Sequence, residues 1–109
     1  MTYNVELTHQ AQFDLQQIIE YCTSKVDIVF AEKKLIEIEQ AINLLSLQPT
    51  RGYKPHELYK INTAKQLEII INSICIIYEI KTPQVFITAI FDGRQNVQAH
   101  LLKRMLKLH

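Results

Sequence analysis

Glycine, proline and cysteine are scarce in this sequence of 109 residues, which has 2 glycines, 3 prolines and 2 cysteines. Collagen-like, low-complexity and disordered chains are excluded, because they are rich in glycine and proline or poor in residues that can be buried. Here 48% of the residues are hydrophobic. We therefore expect one packed domain over residues 1–109.

Long hydrophobic runs are also missing. No apolar run approaches the ~18 to 20 residues of a membrane-spanning helix, and the start of the chain lacks the basic and apolar regions of a secretory signal. We expect a cytoplasmic protein with no membrane partner. Cys22 and Cys75 lie among apolar neighbours, without histidine or cysteine at ligand spacing. They predict two buried thiols, no metal site and no cofactor.

The formal net charge of +1 conceals an uneven distribution. Residues 1–50 contain three basic and seven acidic residues, whereas residues 51–109 contain nine basic and four acidic ones. An anionic partner should therefore be sought in the second half of the chain.

Two amphipathic helices are predicted in the first half. Thr8 is a good N-cap residue, and apolar residues follow it at spacings of three and four as far as Cys22. A second such pattern begins near Asp27 and ends before Pro49. The short connection predicts an antiparallel hairpin, which a short strand at residues 3–7 precedes.

Three strands are predicted in the second half, at residues 67–71, 74–80 and 85–91, where Ile, Val, Phe and Tyr are frequent. Their connections are too short for parallel crossovers, so they form an antiparallel meander. From Arg94 the pattern is helical again. The sequence thus predicts an α+β fold: an N-terminal strand and an antiparallel helix hairpin, packed on a mainly antiparallel four-stranded sheet, with a short C-terminal helix.

Several polar residues have simple structural interpretations. We interpret Asp14 and Glu20 as surface charges, because they have no regular helical spacing to each other. Gly52, in the loop after the second helix, is interpreted as a source of backbone freedom. We interpret Tyr78 as a β-former packed in the meander and Asp92 as a turn residue.

Particular residues then become recognisable. The segments are THQAQFDLQQIIEY at 8–21, Leu45 with Pro49 and Gly52, Glu57-Leu58, Ile77-Tyr78-Glu79-Ile80, and IFDGRQN at 90–96. In their order and spacing they resemble the RelE/ParE superfamily of bacterial toxins from type II toxin–antitoxin modules. The superfamily's middle strand usually reads Tyr-Arg-Ile, and its last turn often reads His-Gly-Arg-Arg-Asp.

The resemblance implies a small toxin that a cognate antitoxin neutralises. RelE-like members cleave mRNA in the ribosomal A site, whereas ParE-like members poison DNA gyrase without known chemistry of their own. The sequence departs from the nucleases: between residues 67 and 91 the only basic residue is Lys81, and Glu79 stands where an arginine is wanted. We therefore favour a ParE-like gyrase inhibitor that works by binding and is not an enzyme.

Two alternatives stay open. One is a RelE-like mRNA endonuclease, for which Arg94, His100 and Arg104 are the candidate catalytic residues. The other is a degenerate, non-toxic member that only binds antitoxin. In each case the C-terminal segment supplies the predicted contacts. For the target these are Arg94, Lys103, Arg104 and Lys107; for the antitoxin they are Val97, Leu101 and Met105. The same apolar residues could support a homodimer when the chain is isolated.

Overall fold

The structure is a computed structural model that describes residues 2–53 and 65–93. Its elements are β1 (Asn4–Leu7), α1 (His9–Lys25), α2 (Ile28–Leu47), a short 3₁₀ helix (Pro49–Arg51), β2 (Leu67–Ile71), β3 (Ile74–Lys81) and β4 (Gln84–Asp92). The α+β class, the N-terminal strand, the helix hairpin and the three-stranded meander are confirmed. The predicted C-terminal helix lies outside the described residues.

Both helices begin where the sequence places N-cap residues. The hydroxyl oxygen of Thr8 accepts a hydrogen bond from the amide of Ala11 at 3.2 Å, and the carboxylate of Asp27 accepts one from the amide of Phe30 at 2.8 Å. Only Val26 and Asp27 separate the two helices. So short a connection reverses the chain, and α1 and α2 pack side by side.

The four strands form one sheet in the order β1-β4-β3-β2, with β3 and β4 in the centre. β2, β3 and β4 pair antiparallel, as predicted, whereas β1 runs parallel to β4. The predicted turn between β2 and β3 is present, and Asn72 has a φ of 55°, a conformation that asparagine tolerates better than most residues.

A β-bulge interrupts the pairing of β3 with β4. Ile77 pairs with Ala89 but Tyr78 pairs with Ile87, so Thr88 is an extra residue on β4. The extra residue changes which positions of β4 face the helices. Ile87 lies on that side before the bulge and Ile90 after it.

The main core lies between the helix hairpin and one face of the sheet. It consists of Ala11, Ile18, Cys22, Ala31, Ile38, Ala41, Leu45, Ile69, Ile74, Ile76, Tyr78, Val85, Ile87 and Ile90. Side chains on the opposite face of the sheet are buried too, among them Cys75, Ile77 and Ala89. Both faces of the central strand are therefore covered from Ile74 to Tyr78. Within the described ranges, neither helix combines the length and hydrophobicity needed to cross a bilayer.

The interpretation of Asp14 as a surface charge is wrong. Its side chain is only 9% exposed and connects α1 to the sheet: one carboxylate oxygen accepts a hydrogen bond from the amide of Ile90 at 3.0 Å, and the other accepts one from the amide group of Gln10 at 3.0 Å. β1 ends at Leu7, opposite Ile87, so beyond that point β1 offers no acceptor to β4. The carboxylate supplies the acceptor that the missing strand would have provided. Glu20, in contrast, is exposed, as expected.

We predict that Asp14→Ala lowers the free energy of unfolding by about 1–3 kcal/mol, because the buried amide of Ile90 loses its acceptor. Urea denaturation followed by circular dichroism measures the change. The matched control is Glu20→Ala on the same helix, which removes an exposed carboxylate and should change stability by less than about 0.5 kcal/mol. Equal effects of the two substitutions would contradict the assigned bond.

Candidate target-binding surface

The predicted site residues all lie outside the described residues: Arg94, His100, Lys103, Arg104 and Lys107 among the polar ones, and Val97, Leu101 and Met105 among the apolar ones. The structure does describe the turn that leads to them. Asp92 ends β4 and accepts a hydrogen bond from the hydroxyl of Ser73 at 2.8 Å. Gly93 has a φ of +89°, which favours glycine, and its amide donates to the carbonyl of Ser73. The exit from β4 is thus fixed to the β2–β3 turn.

The central strand offers little to a reaction. Ile77 is fully buried, and Glu79 is half-buried beside Gln66, whose amide group lies 3.4 Å from its carboxylate. Lys81 stands at the far end of β3, exposed, with its ammonium 5.8 Å from the centre of the Phe86 ring. In the described strands it is the only basic residue.

Tyr78 is packed in the core, as predicted, but its hydroxyl has a function that the sequence did not reveal. The hydroxyl donates a hydrogen bond to the carbonyl of Pro49 at 2.7 Å and accepts one from the amide of Gly52 at 3.0 Å. Burial raises the pKa of the phenol, an effect that the hydrogen bond from Gly52 and the positive charge of Arg51 partly oppose. The phenol therefore stays protonated at neutral pH, with its donor and an acceptor position both in use.

Gly52 is needed for a different reason from the one expected. Its φ of −77° and ψ of 176° are open to any residue, so backbone freedom does not explain the glycine. A Cβ atom at this position would overlap the Tyr78 hydroxyl and lie 2.8 Å from the carbonyl oxygen of Glu68. The glycine permits the close approach of the turn to the sheet, and the interpretation as a flexible point is wrong.

A second pair of bonds holds the end of the same turn. The amide of Tyr53 donates to the carbonyl of Glu68 at 3.1 Å, and the amide of Glu68 donates to the carbonyl of Tyr53 at 2.7 Å. We call residues 49–53, held in this way by Tyr78 and β2, the clamped turn. Its backbone is fixed, whereas the side chains of Arg51 and Tyr53 are exposed.

Glu68 is a buried acidic residue that the sequence analysis did not single out. Its carboxylate accepts a hydrogen bond from the thiol of Cys75 at 3.0 Å, and both side chains are almost wholly inaccessible to solvent. Both cysteines are buried free thiols, as predicted. No group of three or more histidine, cysteine or acidic side chains in residues 2–53 and 65–93 could hold a metal ion.

Solved structures share this arrangement of helices and strands. The chromosomal ParDE toxin–antitoxin system from P. aeruginosa is 13% identical and superposes with a TM-score of 0.71, over 85% of this chain and 98% of that one. The RelBE2 toxin–antitoxin complex from Mycobacterium tuberculosis is 23% identical, with a TM-score of 0.58 over 86% of this chain and 100% of that one. The fold is therefore that of the toxins of these complexes.

The family follows from the sequence match. The model of the ParE toxin of the type II toxin–antitoxin system parDE matches residues 5–97, and the chain therefore belongs to the ParE toxin family. No curated protein sequence matches it. The expected membership of the RelE/ParE superfamily, on the ParE side, is confirmed.

We predict that Tyr78→Phe lowers the free energy of unfolding by about 1–3 kcal/mol, because Gly52 and Pro49 each lose a partner for a backbone group. The amide of Gly52 should also exchange its hydrogen faster, which NMR measures directly. Tyr21→Phe is the control, since that ring is 62% exposed on α1. Unchanged protection of the Gly52 amide would show that the clamp is not formed.

Proposed function

We propose that this toxin inhibits growth by binding DNA gyrase and that a cognate antitoxin neutralises it. The observation that carries the proposal is the match to the ParE toxin family over residues 5–97. Antitoxins are part of both solved complexes that share the fold. The predicted target contacts are Arg94 and the basic residues Lys103, Arg104 and Lys107.

The chemistry of the central strand supports binding over cleavage. Cleavage of RNA through attack by the 2′-hydroxyl needs a group that takes the proton of that hydroxyl and groups that stabilise negative charge on the phosphate. Tyr78, the polar side chain at the centre of β3, is buried, neutral and occupied by two backbone groups. Using it as an acid or base would require breaking the clamped turn.

Charge supports the same choice. A toxin that enters the ribosome must compete for phosphates, and each neutralised phosphate adds affinity that does not depend on sequence. The formal net charge of +1 gives this chain little of that affinity. Binding a protein target through a limited contact surface does not require a large positive charge.

We predict that inducing the chain alone in a bacterial host stops DNA replication before translation, with gyrase-mediated breaks in the chromosome. Pulse labelling of DNA and of protein at successive times after induction measures which fails first. In vitro, the purified chain should inhibit supercoiling by gyrase. Codon-dependent cleavage of mRNA on ribosomes would instead establish the RelE-like nuclease, with Arg94, His100 and Arg104 as its candidate residues, and harmless expression would establish a degenerate member.

For the antitoxin we propose contact with the apolar side of the predicted C-terminal helix, formed by Val97, Leu101 and Met105. A terminal helix with a wide apolar arc needs a surface to cover it. We predict that Leu101→Asp abolishes complex formation with the antitoxin while the circular dichroism spectrum stays unchanged. Lys103→Ala, on the charged arc of the same predicted helix, is the control, and retention of the complex by Leu101→Asp would refute this placement.

A further inference from the structure

The clamped turn combines a backbone that is held by hydrogen bonds with side chains that are exposed. The Tyr78 hydroxyl is hydrogen-bonded to the carbonyl of Pro49 at 2.7 Å and to the amide of Gly52 at 3.0 Å. At the end of the turn, Tyr53 pairs with Glu68 of β2 through two backbone hydrogen bonds of 3.1 and 2.7 Å. Tyr78 itself is fully buried in the central strand. Four hydrogen bonds therefore hold the backbone of the turn against the sheet, although the turn lies at the surface.

Two side chains project from this rigid support. Arg51 is exposed, and among the described residues no carboxylate forms an ion pair with it; the ring of Tyr53 is 52% exposed. Arginine and tyrosine are the residue types that most often carry binding energy at protein interfaces. Because hydrogen bonds already hold their backbone, binding a partner would cost side-chain entropy at these two residues but little backbone entropy.

We propose that Arg51 and Tyr53 form a binding site for an acidic surface of the protein that this toxin attacks. The proposal rests on the proposed function, since it requires a toxin that acts by binding. The planar guanidinium of Arg51 fits a carboxylate through two parallel hydrogen bonds, and the ring of Tyr53 covers the apolar part of the same contact. Tyr78 is a positioning residue for both.

The charges favour a protein over a nucleic acid. Arg51 is the one basic residue of the clamped turn, residues 49–53. A nucleic acid would therefore meet a single guanidinium in this turn, whereas affinity for phosphate backbones grows with the number of basic contacts. One guanidinium is sufficient to bind a single carboxylate of a protein partner.

The experiment measures binding of the purified full-length chain to purified DNA gyrase and inhibition of supercoiling. We expect the double variant Arg51→Glu, Tyr53→Ala to need at least ~10-fold more toxin for both, with an unchanged thermal midpoint. The control is Lys25→Glu, Tyr21→Ala, which makes the same two changes at exposed positions of α1 and should alter both by less than ~2-fold. Arg51→Lys, which keeps the charge but not the paired donors, should lie between the variant and the wild type.

The outcomes separate this proposal from the proposed function. Equal potency of the wild type and the Arg51, Tyr53 variant against gyrase overturns the turn site and leaves gyrase as the target. If the wild type does not bind gyrase but arrests growth, the gyrase proposal fails, and the turn site stands only if the variant relieves the arrest and the control does not. A wild type that is harmless overturns both. Binding to a 30-base-pair DNA duplex that is lost in the variant, with protein binding intact, overturns the choice of a protein partner.

Discussion

The described architecture depends most on the two hydrogen bonds made by the hydroxyl of Tyr78. This hydroxyl lies in the middle of β3, among the aliphatic side chains of the core, and reaches two backbone groups in the chain that follows α2. An unpaired hydroxyl at this depth would be costly, so the phenol and the turn require each other. The same bonds settle the direction in which the chain leaves the helix hairpin and bring Tyr53 beside Glu68. Without them, residues 49–53 would be held only by the burial of Pro49 and the bridge from Tyr53 to β2.

The burial of the central strand limits what its side chains can contribute to function. From Ile74 to Tyr78 its side chains are buried on both faces of the sheet, and its one phenol both donates and accepts a hydrogen bond. What such a strand can do is hold other elements in place. The described part of the molecule therefore holds other elements in place, and the contacts proposed above involve the clamped turn and the segment that follows Gly93.

The elements of the fold could be predicted from the sequence because they are governed by local patterns. Helical spacing, the N-cap residues Thr8 and Asp27, and short β-rich segments separated by turns are all visible within a few residues of each other. The misjudged residues are those whose surroundings are set by distant parts of the chain. Asp14 bonds to Ile90, 76 residues away, and Gly52 to Tyr78, 26 residues away. A single carboxylate in a helix and a single glycine in a loop carry no local sign of such partners. The bulge at Thr88 also leaves no sign in the local sequence, because it arises from the pairing of two strands. The site residues favoured by the sequence all fall after Gly93, and the residues of the clamped turn were interpreted as part of a connecting loop.

The parallel pairing of β1 with β4 constrains the order in which the molecule can assemble. β1 is made first and β4 last among the described strands, so the edge to which β1 belongs does not exist while the intervening chain is being synthesised. During that interval the helix hairpin has no sheet to cover its apolar side, and β1 has an open row of backbone groups. The sheet can therefore be completed only after β4 has been synthesised. Until then the nascent chain exposes an unpaired strand and uncovered helix faces, the kind of surface that makes folding intermediates prone to aggregate and dependent on chaperones.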